Sequence, residues 1–152
     1  LVRITGEIGV KEKLQGDLKA AMKAGEKLRL MTVRGVLAEV TRLEKDVRRD
    51  ANDDEIVQII KRERARRDES LDFARRGKRF DLVTQYEAEA KILESYLPAG
   101  VGEEELNAAV AAQVAAGVNQ IGPIMKALRD QFGARLDGKM ASAAVKAAIA
   151  PK

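Results

Sequence analysis

Cysteine and histidine are both missing from this 152-residue chain. Their absence removes thiol nucleophiles, disulfides, thiolate and imidazole metal ligands, and histidine acid–base catalysis. A cysteine-free chain suits a reducing compartment, and the expected location is cytoplasmic. Tryptophan is absent too, and the aromatic share is only 3%. Any core is therefore aliphatic and fairly thin, and few rings are at hand to stack on bases. Three prolines interrupt the chain, which suits packed helices better than sheets. No run of about 18 apolar residues offers a membrane span, and the opening residues carry no signal-peptide pattern.

What is present is aliphatic and charged: 45% hydrophobic and 34% charged residues, with a net charge of +4. The sequence pI is about 9.4. That mild basic excess permits nucleic-acid binding without demanding it. The length suits one domain or two small ones. The first residue, Leu1, is not one ahead of which methionine is normally trimmed, so the expectation is a piece of something longer. Leu1 to Gly6 is β-prone, and residues 1–9 read as an extended leader or the end of a preceding domain.

Apolar periodicity predicts an all-α protein. Val10, Leu14, Leu18, Ala21 and Met22 form one stripe ended by Gly25. Val33, Val36, Leu37, Val40, Leu43 and Val47 form a longer one, of nearly heptad spacing. Asp53 or Asp54 is expected to cap a third helix, with Ile56, Ile59 and Ile60 on its buried face and Leu71 and Phe73 resuming that face later. Between them, from Lys61 to Ser70, no large apolar residue appears, so the helix middle is expected to lie partly uncovered. A fourth helix runs from Phe80 to Leu97, its exposed side acidic through Glu87, Glu89 and Glu94. Leu97 to Gly102, with one proline and two glycines, reads as the boundary. Beyond it Leu106, Val110 and Val114 begin an alanine-rich segment of three short helices. The expected architecture is a four-helix amino-terminal unit over residues 10–97, a linker over 98–102 and a three-helix carboxy-terminal unit over 103–152.

The carboxy-terminal helices meet at a glycine-bracketed corner. Ile121, Ile124, Met125, Leu128 and Phe132 make one face, Gly133 stops that helix, and Asp137 caps the next, whose apolar face is Met140, Ala144, Val145 and Ala148. Gly122, Met125-Lys126, Gly133-Ala134-Arg135, Asp137-Gly138 and Val145-Lys146 follow the pattern G-x-x-M-K … G-x-R-x-D-G … V-K. This resembles the carboxy-terminal half of YqeY-like proteins and, more loosely, the tail of the B subunit of tRNA-dependent amidotransferases. Pro123 departs from the pattern, where a basic or polar residue is usual. The stretch Asp17 to Val40 is similar to the opening of the same family. Lys61, Glu63, Arg67, Glu69-Ser70, Phe73, Gly77, Asp81-Leu82, Leu93 and Tyr96-Leu97-Pro98 match its middle. The resemblance covers nearly everything from Val10 onward. It implies a helical domain, not catalytic by itself, that helps hold tRNA, either free-standing or appended to a glutaminyl-tRNA synthetase or an amidotransferase.

Two basic groups are candidate RNA contacts. The first is the corner, with Lys126, Arg129, Gly133, Arg135, Gly138, Lys139 and Lys146. Backbone amides at a helix start, with nearby cations, suit phosphate. The plain alternative is a helix–turn–helix corner with Arg135 idle in solvent. The second group, with Arg62, Arg66 and Arg67, belongs to the run from Lys61 to Arg79. It reads as a phosphate-contacting stripe, or as a solvated helix laced with ion pairs such as Arg64 with Asp68. The resemblance to the amidotransferase tail ranks the corner first. Chemistry finds little purchase. Asp137 is one carboxylate with no second ligand, Ser70, Ser95 and Ser142 lack a histidine, and the glycines follow no strand. No metal, cofactor, small-molecule substrate or membrane is expected. The expected partners are tRNA and a covalently linked upstream enzyme. The alternative is a protein-interaction module docking a partner at the interrupted face of the third helix, or a free-standing protein of another role.

Overall fold

The computed structural model describes residues 8–151, and the strand-like leader expected over Leu1 to Gly6 lies outside them. Among the described residues there are seven α-helices and no strand. They fall into two units, the first ending at Leu97 and the second beginning at Pro98.

The first unit holds α1 (Val10–Ala24), α2 (Lys27–Val47), α3 (Asp53–Arg76) and α4 (Phe80–Glu94). Its core is aliphatic: Leu14, Val33, Val36, Val40, Ile56, Ile59, Ile60, Ile92 and Leu93 pack around the body of Tyr96. Gly25, in the left-handed region at φ 70°, closes α1, and its N–H bonds back to the last turn. Met22 and Val47, placed on the apolar stripes, are exposed. Thr32 is buried instead, its hydroxyl donating to the Leu28 carbonyl at 2.8 Å, which removes the cost of an unpaired hydroxyl.

The caps differ from expectation. Asn52, not Asp53 or Asp54, caps α3. Its side chain accepts from Glu55 N–H at 2.8 Å while Glu55 accepts from Asn52 N–H at 3.0 Å, a capping box. Asp53 serves another helix: its carboxylate accepts the Val10 N–H at 3.1 Å, because Gly9 has no side chain with which to cap α1. Arg49 grips Glu55 at 2.7 Å. That guanidinium, then the Asn52 amide, hold the Glu55 carboxyl down to about 2.

The polar middle of α3 is not left open. The carboxylates of α4, expected to face solvent, turn toward α3. Arg64 pairs with Glu94 at 3.4 Å, Arg67 with Glu89 at 3.4 Å and Arg75 with Glu87 at 3.1 Å. Glu89 is only 9% exposed. The ion pairs run along an antiparallel helical hairpin, and Arg64 meets Glu94 rather than its neighbour Asp68. Phe73, expected on the buried face, points outward, and Ala74 joins Leu71 inside.

The second unit holds α5 (Glu103–Ala115), α6 (Ile121–Phe132), a single 3₁₀ turn (Gly133–Arg135) and α7 (Gly138–Ile149). Leu106, Val110, Ile124, Leu128, Phe132, Ala141 and Val145 form its core. On α7 the expected Ala144 and Val145 pack inward, joined by Ala141 and Ile149, while Met140 and Ala148, expected on the same face, are exposed. Within the expected linker, Val101 is buried and its N–H donates to the Arg135 carbonyl at 3.3 Å.

Candidate nucleic-acid interface

Gly133 ends α6 at φ 57° and ψ −130°, a conformation that side chains disfavour, and its N–H bonds to the Arg129 carbonyl. The chain then makes its 3₁₀ turn, and Asp137 caps α7 by accepting Met140 N–H at 3.1 Å. That cap was expected; its consequence was not. The start of α7 carries its own carboxylate, so the amide face expected to meet phosphate at Gly138 is occupied by a negative charge.

Arg135 is neither idle nor a free phosphate hand. Its Nε donates to the Ala99 carbonyl at 3.2 Å, and its Nη2 donates to Glu105 Oε2 at 3.2 Å. The guanidinium also lies 5.9 Å from the Phe132 ring centroid. It ties the segment before α5 to the corner. The other four cations differ. Lys126 and Arg129 on α6, and Lys139 and Lys146 on α7, are exposed and have no ion-pair partner among the described residues.

The α3 run is largely neutralised from within. Arg66 pairs with Glu63 at 2.8 Å, and Arg67 bridges Glu63 at 3.0 Å and Glu89 at 3.4 Å. Arg67 is half-buried, its side chain 23% exposed and engaged by two carboxylates. Arg62 is exposed and has no ion-pair partner among the described residues. Of the ten candidate contacts, seven lie in the second unit and three in the first.

One contact has no counterpart among the sequence-based expectations. Tyr96, just past α4, donates its hydroxyl to the Asp17 carboxylate of α1, and the Lys13 ammonium sits 5.3 Å from the Tyr96 ring centroid. Burial first, then the Asp17 carboxylate that accepts the proton, push the Tyr96 phenol well above its ordinary value. A shallow depression beside it is lined by Asp17, Ala20, Ala21, Ala24, Glu26 and Arg29. Asp17 and Tyr96 both stand in stretches that carry the family resemblance, so part of that resemblance encodes a fold contact.

Residues 11–149 match the family described as Yqey-like protein. The chain belongs to the YqeY-like family. Two curated relatives share the same printed name, "Altered inheritance of mitochondria protein 41, mitochondrial". The one from Pyrenophora tritici-repentis (strain Pt-1C-BFP) is 32% identical over 106 residues, 68% of this chain and 58% of the relative. The one from Kluyveromyces lactis is 33% identical over 141 residues, 90% of this chain and 74% of the relative. The match thus spans less than two thirds of the first relative's length. Among the described residues of this YqeY-like chain, no cluster of acidic side chains suits a metal ion, and no helix is long and apolar enough to cross a membrane.

Proposed function

We propose that this YqeY-like chain is a non-catalytic, tRNA-binding helical module whose role is to raise tRNA affinity. One observation carries the reading: Lys126, Arg129, Lys139 and Lys146 stand exposed on two helices that pack together, with no ion-pair partner among the described residues. Unpaired surface cations release counterions when they meet phosphate, whereas cations already in ion pairs must first give up a partner. That favours the carboxy-terminal unit over the middle of α3. The resemblance to the amidotransferase tail supports the same unit. The function fits a domain appended to a glutaminyl-tRNA synthetase or an amidotransferase, where the parent enzyme supplies the chemistry. We place the encounter in the cytoplasm; the relatives carry "mitochondrial" in their names.

Titration of the chain with tRNA over a salt series tests this. Binding should be weak, largely indifferent to base sequence and tighter at low salt. Replacing Lys126, Arg129, Lys139 and Lys146 together with alanine should flatten the salt dependence by about 0.7–0.9 for each phosphate no longer neutralised. Absence of tRNA binding at low ionic strength sinks the proposal.

A further inference from the structure

The basic stretch of the first unit changes character at the turn between α3 and α4. Arg64, Arg66 and Arg67 are held by Glu94, Glu63 and Glu89, and of the arginines up to that point only Arg62 has no ion-pair partner among the described residues. From Phe73 to Phe80 the chain reads FARRGKRF, four cations with no carboxylate among them. Both terminal rings are on the surface, Phe73 at 71% exposure and Phe80 at 68%. Single exposed apolar residues are ordinary. Here two of the three phenylalanines flank one turn, while the third, Phe132, is buried. Lys78 sits at φ 55°, a conformation that glycine adopts at less cost, although Gly77 stands beside it at φ −82°. A cation therefore occupies the position where the turn itself would prefer glycine.

We infer that this turn is a stacking site for unpaired nucleotides of RNA, with Phe73 and Phe80 as platforms and Arg75, Arg76, Lys78 and Arg79 as phosphate contacts. The inference rests on the RNA-binding reading above and adds a second contact on the other unit. Base–aromatic stacking needs only one open ring face, and every base has a π-face to offer. The charge is complementary. The carboxylate partners of Arg75, Arg76 and Arg79 are Glu87, Asp72 and Asp81, each more than half exposed, so these pairs exchange for phosphate at little cost. Lys78 has no ion-pair partner among the described residues. A membrane surface fits less well. Asp72 and Asp81 adjoin the two rings in sequence, and no continuous apolar face accompanies them. The one-turn neighbours of Phe73 are Glu69, Ser70, Arg76 and Gly77, and the Arg76 guanidinium lies 5.9 Å from its ring centroid, so the ring has polar and charged neighbours rather than a groove a partner helix could fill.

The test uses the full chain with two probes, a short unstructured oligouridylate and an RNA duplex of equal length. Variants are Phe73→Ala with Phe80→Ala, and Phe73→Tyr with Phe80→Tyr, each shown folded by circular dichroism. The alanine pair should weaken oligouridylate binding about tenfold or more, leave its salt slope unchanged and spare the duplex. The tyrosine pair should retain binding. Unchanged oligouridylate affinity in the alanine pair overturns the inference, as does an equal loss on the duplex. So does preferential binding of phosphatidylserine vesicles that the alanine pair abolishes. If the alanine pair binds like the parent while the Lys126, Arg129, Lys139 and Lys146 variant loses tRNA, the stacking site falls and the proposed function stands. If the parent binds no RNA of any kind, both fall.

Discussion

Replacing Arg67 with alanine should cost about 2–3 kcal/mol, because the buried Glu89 would lose its guanidinium partner, while Glu63 would keep only Arg66. Replacing Arg66, whose ion pair with Glu63 is open to water, should change stability by about 0.5 kcal/mol or less. Urea unfolding of the two variants separates these outcomes, and equal effects would show that Arg67 is not structural. Tyr96 belongs to the same scale. Its folded pKa is raised, so the phenol's contribution is fully present below about pH 10, where the unfolded chain also keeps its proton. As pH climbs above that value the unfolded state ionises first and the contribution fades. Tyr96→Phe should lose about 1–2 kcal/mol at neutral pH with the hydrogen bond to Asp17. It should also show less alkaline destabilisation than the parent, a difference that thermal melts from about pH 8 to about pH 11 would read.

Among the helices, the ends and the pairing were legible to different degrees. Capping of α3 was legible as a class: a polar residue, then Glu55 in the first turn. Which side chain caps was not, because Asn52, Asp53 and Asp54 are all competent and only the path of α1 recruits Asp53 elsewhere. Asn52→Ala should therefore destabilise by about 1 kcal/mol, while Asp54→Ala, on the first turn without the cap bond, should cost less; chemical denaturation of both variants checks the order. The α3–α4 hairpin was misread for a physical reason. Hydropathy periodicity treats Glu89 as a solvent residue. A short turn after a basic helix, followed by carboxylates at 87, 89 and 94, offered the missing clue, since antiparallel neighbours bring opposite charges together. Phe73 failed in the reverse sense: an aromatic ring one position from Ala74 reads as core, yet the smaller residue fits the tight approach of the two helices.

For the molecule as a whole, two aliphatic cores form on either side of Leu97–Pro98. The segment from Pro98 to Gly102 is held by Arg135, through the Ala99 carbonyl, and by the Val101 N–H to the Arg135 carbonyl. Arg135→Ala should loosen this segment, and limited proteolysis should cut it faster than in the parent. A cleavage rate unchanged by the substitution would show that the side-chain tether is dispensable. The same variant should leave the salt slope of tRNA binding nearly intact, since the guanidinium is held by the Ala99 carbonyl and the Phe132 ring as well as by Glu105.

The sequence by itself determined the helical class, the two-unit organisation of the helices and most helix limits, because apolar spacing and glycine stops are local properties of the chain. It also identified the basic residues. Only the tertiary structure decided which of those charges remain available. Whether Arg67 or Arg135 is free depends on a carboxylate or carbonyl 22 to 36 residues away in the chain, brought near by packing that no local pattern records. The same holds for the rings: composition counts the phenylalanines, but only burial of Phe132 and exposure of Phe73 and Phe80 tell core from surface.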